Sequence, residues 1–69
     1  MAKFVIYRDK ADYYRWRLVA SNGEKVAASE AYVSRQGAII SAKRVKILAS
    51  SAEIVDNTTD ELIKRLLNK

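Results

Sequence analysis

Tyr13-Tyr14-Arg15-Trp16-Arg17-Leu18-Val19-Ala20-Ser21-Asn22-Gly23-Glu24 reads as a β-strand running into a hairpin turn, and it holds three of the chain's six aromatic residues. Successive strand side chains point to opposite faces, so Tyr14, Trp16, Leu18 and Ala20 share one face while Tyr13, Arg15, Arg17 and Val19 share the other. The first set is a core face. Asn22-Gly23 is a strong hairpin signal, because a two-residue type I′ loop needs φ > 0 at both central positions and these residues tolerate it best. Counting outward from such a loop places Val19 opposite Val26, Arg17 opposite Ala28 and Arg15 opposite Glu30 on one face. The other face opposes Leu18 with Ala27, Trp16 with Ser29 and Tyr14 with Ala31. Arg15 and Glu30 then form a cross-strand charge pair, and large residues beside small ones leave a trough in which a helix can lie.

Upstream, Phe4-Val5-Ile6-Tyr7 is β-branched and aromatic and reads as a first strand, closed by the polar cluster Arg8 to Asp12. Downstream, a third strand runs from about Lys25 to Tyr32, and Ser34 is the expected N-cap of a helix from Arg35 to about Ala49. At 100° per residue, Ala38, Ala42, Val45 and Ala49 fall on one side with Ser41 and Leu48 at its edge. Ile40 and Ile47 lie almost opposite, with Ile39 beside them, so these isoleucines are exposed unless something covers them. Ala52-Glu53-Ile54-Val55-Asp56 reads as a short fourth strand, and Thr58-x-x-Glu61 as a capping box opening a final helix over about 58–69. Leu62, Ile63, Leu66 and Leu67 stripe that helix, which needs a surface to dock on; the isoleucines of the first helix offer one. The order is β-β-β-α-β-α, a single α+β domain over residues 1–69 with an antiparallel sheet covered by helices on one face.

A 69-residue chain buries only about 60% of the surface its unfolded form exposes, so its stability is marginal without a staple or a partner. It has neither cysteine nor histidine, which removes disulfides and the usual zinc ligands. Oligomerisation is the remaining route. No apolar run approaches the ~20 residues that span a bilayer, and the N-terminus enters an alternating strand instead of a signal-peptide core, so the expectation is a cytoplasmic protein without membrane contact.

The residues resemble the YegP-like family of uncharacterised short chains and tandem duplicates. The resemblance rests on Phe4-x-Ile6-Tyr7-x-Asp9, Tyr14-Arg15-Trp16-Arg17-Leu18-x-Ala20, Asn22-Gly23-Glu24, Ala28-x-x-x-Tyr32, Ser34-x-x-x-Ala38, Val45-Lys46 and Ala52-x-Ile54-Val55-Asp56. It covers about residues 4–56. It implies a β-β-β-α-β unit, either duplicated within one chain or present as a single copy that pairs with a second subunit by exchanging C-terminal strands. One copy here implies a strand-swapped homodimer, which agrees with the argument from size. This chain departs from the pattern in carrying Ile39, Ile40, Ile47 and Leu48 on its helix and in continuing past Asp56. The resemblance implies no activity.

Enzymatic readings fare poorly, because the commonest general base and the strongest nucleophile are both missing and the serines have no obvious activating partner. Asp9 and Asp12 are read as turn formers, not as a metal or acid pair. No cofactor motif is present. Thirteen Lys and Arg against eight Asp and Glu give a net charge of +5, so low-specificity nucleic-acid binding is the alternative to a structural or protein-interaction role with an unknown protein partner. The candidate contact surface is Tyr7, Tyr13, Arg15 and Arg17 on the open sheet face, where aromatics interleave with cations, together with Lys43, Arg44 and Lys46 on the first helix.

Overall fold

In the computed structural model of the chain, β1 (Lys3–Arg8), β2 (Tyr14–Val19) and β3 (Lys25–Ala28) form an antiparallel sheet in the order β1-β2-β3. Helix α1 (Arg35–Ser51) packs on β2 and β1 across one face of that sheet. The structure describes residues 1–58 and 65–67. The α+β class expected from the sequence is therefore the one found.

The register of β1 on β2 sets Phe4 opposite Leu18 and Ile6 opposite Trp16, which gathers the apolar alternates on the helix side. Trp16 is the centre of the core at 5% exposure, with the Phe4 ring edge-on to it at 5.1 Å and Ala38 and Ala42 of α1 both buried. Alanines at these positions let the helix backbone approach the indole closely. Burying an aromatic surface of about 200 Å² contributes on the order of 5 kcal/mol, a large share of the roughly 3–10 kcal/mol that a chain of this length possesses.

Polar groups fix the helix on the sheet. Ser41 on α1 accepts hydrogen bonds from the Trp16 indole N–H at 2.9 Å and from the Tyr32 hydroxyl at 2.7 Å, so one small hydroxyl ties together β2, α1 and the segment between β3 and α1. Ser34 caps α1 as expected, its hydroxyl accepting from the Gly37 N–H at 3.0 Å.

Several local expectations are corrected. The hairpin loop is Ser21-Asn22-Gly23, three residues long: the Ala20 N–H donates to the Glu24 carbonyl and the Gly23 N–H to the Ala20 carbonyl, and φ is positive at Gly23 (88°) but not at Asn22. A turn followed by a left-handed glycine absorbs the extra residue as a bulge. The register accordingly slips between Leu18 and Val19, which brings Val19 opposite Lys25, while Leu18–Ala27 and Arg17–Ala28 stand as counted. β3 also stops at Ala28: the Ser29 N–H still donates to the Trp16 carbonyl at 2.9 Å, but the Ser29 hydroxyl takes the Trp16 N–H at 2.9 Å in place of a ladder carbonyl, and the next bridge is Tyr14–Tyr32, one residue beyond the expected Tyr14–Ala31. Arg15 and Glu30 form no pair, since Asp9 claims the Arg15 guanidinium instead.

The C-terminal part differs most. α1 continues to Ser51, Val45 is only half-buried and Ala49 is exposed. Residues 52–57 form no strand: Ala52 leaves the helix in an extended conformation, but a lone extended segment has no ladder to join, and Ile54 stands 96% exposed. Of the expected final helix, Thr58 and residues 65–67 are helical, with Leu66 and Leu67 exposed instead of docked on α1. The acceptor at its start is the Asp56 carboxylate, which takes the Thr58 N–H at 2.9 Å, and the capping partner Glu61 lies outside the described residues, as do Leu62 and Ile63.

Candidate contact surfaces

The open face of the sheet, turned away from α1, carries Val5 opposite Arg17 and Tyr7 opposite Arg15. Its two arginines are engaged with neighbours. The Arg15 Nε donates to Asp9 Oδ2 at 2.7 Å, and the Arg17 guanidinium lies over the Tyr7 ring at 4.4 Å. Tyr13, 44% exposed, sits at the end of the β1–β2 loop, next to these residues.

Asp9 organises that loop. Its Oδ1 accepts the N–H groups of Ala11 and Tyr13, both at 2.9 Å, while its backbone N–H donates to the Tyr13 carbonyl and Asp12 adopts a positive φ of 68°. This is the turn-forming role expected of the aspartates. The Arg15 guanidinium first, then the Tyr13 and Ala11 N–H groups, hold the Asp9 carboxyl below the usual carboxylate range, and Asp9 in turn raises the Arg15 guanidinium above its ordinary value.

Lys43 and Lys46 lie on the opposite side of the sheet from Arg15 and Arg17. Together with Lys3 they rim a hollow of about 440 Å³ between β1 and α1, floored by Phe4, Ile6, Leu18 and Ile39. Arg44 falls on the other flank of α1 by helical spacing, and it is exposed. The fold thus brings Tyr7, Tyr13, Arg15 and Arg17 together and sets the three helix cations apart from them. The hollow went unseen in the sequence, because its parts come from strands and a helix far apart in the chain; the lone signal was the surplus of isoleucine on α1. Among the described residues, no group of acidic side chains is placed to hold a metal ion, and no helix is long and apolar enough to cross a membrane.

Comparison with known proteins gives a consistent result. The UPF0339 protein Atu0232 of Agrobacterium fabrum is 46% identical over 59 residues, which are 86% of this chain and 95% of that one. Its solution NMR structure superposes with a TM-score of 0.68, and that of a Haloferax volcanii protein, 41% identical, with 0.72 over 80% of this chain and 93% of the other. A UPF0339 protein of Stutzerimonas stutzeri is 44% identical over 43 residues, which are 62% of this chain but only 39% of that longer one. The family model for the domain of unknown function DUF1508 matches residues 9–56. On these matches, and on the sheet and helix that carry them, the chain belongs to the uncharacterised DUF1508/UPF0339 family, which is the YegP-like family.

Proposed function

We propose that this protein is a homodimeric, non-enzymatic interaction module, in which residues 52–56 of each copy add a strand to the free edge of β1 in the other. The observation that carries this reading is the arm itself. Ala52-Glu53-Ile54-Val55-Asp56 has strand composition, yet Ile54 is 96% and Val55 67% exposed, which is an unfavourable way to leave two β-branched side chains. The outer edge of β1 is unpaired among the described residues, and the apolar hollow of Phe4, Ile6 and Ile39 lies beside it. Charge also matches, with Glu53 and Asp56 on the arm and Lys3, Lys43 and Lys46 around the hollow. The longer S. stutzeri relative, more than twice the matched length, is consistent with a second unit in the same chain taking the role of the second copy.

In this dimer the open sheet face is the surface left for a protein partner. Nucleic-acid binding is disfavoured, because the two arginines of that face are held by Asp9 and Tyr7, and Lys3, Lys43 and Lys46 line the hollow assigned to the dimer contact. Light scattering tests the reading. The full chain should weigh about twice 7.8 kDa, and Ile54→Asp should weigh 7.8 kDa with an unchanged near-UV spectrum, since Ile54 is 96% exposed in the single chain. A monomeric full chain would sink the proposal.

A further inference from the structure

The hollow beside β1 has a neighbour. A second one of similar size, about 440 Å³, is lined by Lys43, Lys46, Ile47 and Ser50, and the two share both lysines. Together they make one acceptor strip along a single flank of α1, running from the sheet edge outward to Ile47, which is 69% exposed. The arm proposed to occupy the first hollow fills none of the second.

The same chain carries a second apolar stripe in its sequence. Residues 57–69 lie beyond the family match, and within them Leu62, Ile63, Leu66 and Leu67 recur at helical spacing. Leu66 and Leu67 are 65% and 78% exposed in the single chain.

We infer that the C-terminal tail of each copy follows its arm across the dimer and lays the Leu66/Leu67 stripe on the Ile47 hollow of the partner subunit. This rests on the strand-exchanged dimer proposed above. An arm of residues 52–57 spans about 20 Å when extended, comparable to β1, so once seated beside β1 it delivers the tail to the α1 of that same copy. Asp60 and Glu61, which open the tail, are complementary to Lys43 and Lys46 of the acceptor strip. The extra isoleucine on α1 and the extra residues after Asp56 are then two halves of one contact. The tail acts as a clasp that tightens a dimer whose shared part is the arm.

The absence of native cysteine makes the test clean. A full chain carrying both Ile47→Cys and Leu66→Cys, confirmed as a dimer by light scattering when reduced, should oxidise to a covalent dimer on a non-reducing gel, while each single variant should not. Removal of residues 58–69 should weaken the dimer about tenfold or more in Kd and raise hydrophobic-dye binding. A dimer in which the double variant closes a disulfide within one chain, or closes none, overturns the clasp and leaves the exchanged arm standing. A full chain that is monomeric overturns both.

Discussion

Between Arg35 and Ala42, helix α1 lies over the Trp16 indole, with Ala38 fully buried and Ser41 hydrogen-bonded to two aromatic side chains; between Lys43 and Ser51, the same helix buries no residue. The contrast is one of reach. Seventeen helical residues extend about 25 Å, whereas six-residue strands are about 20 Å long and three of them stand only about 10 Å from first to last, so the sheet of one chain cannot cover the whole helix. The first half of α1 holds the subunit together. The second half leaves Ile47 and Leu48 exposed, uncovered by the sheet of its own chain.

Substitutions can break this contrast where it is strongest. Trp16→Ala should cost about 3–5 kcal/mol, most of the stability available, and leave the chain largely unfolded by near-UV dichroism and denaturant titration. A cooperative native fold after that change would mean that the core lies elsewhere. Ser41→Ala should cost less, about 1–3 kcal/mol, because it removes one acceptor from two part-buried donors; an unchanged denaturation midpoint would show that the hydroxyl is dispensable. Both act on the first half of α1. Ile54→Asp, by contrast, should halve the mass of the proposed dimer while sparing the fold of each chain.

The smallest effect concerns the open face. Asp9 has a folded pKa held below its ordinary 3.8, so its contribution is fully present above that value and is lost as pH falls through the folded one. Thermal melts should show the chain losing stability below about pH 3.8 more steeply than Asp9→Asn, by a modest margin because the group is exposed. Parallel pH curves would show that the loop is held by its backbone bonds alone.

Much of the subunit was legible in sequence. Alternation identified Trp16 and Leu18 as core, Ser34 as cap and the alanine face of α1 as the contact side, since each depends on neighbours within a few residues. Register in the hairpin was only partly legible: Asn22-Gly23 signals a turn equally well in two-residue and three-residue loops, and side-chain competition from Ser29 ended β3 early. The Arg15 partner was missed because the counted register set Glu30 opposite it, whereas β3 ends at Ala28 and the Asp9 carboxylate of the β1–β2 loop accepts from the Arg15 Nε.

The sequence by itself determined which residues alternate, where the helix begins and that a chain without cysteine or histidine must find stability in packing. Tertiary structure decided what those elements meet. It divided the cations between two faces, made Ser41 the shared acceptor of Trp16 and Tyr32, and left residues 52–56 without a strand to join. The physical reason is that propensity and periodicity act along the chain, whereas edge pairing and burial depend on which surfaces come into contact.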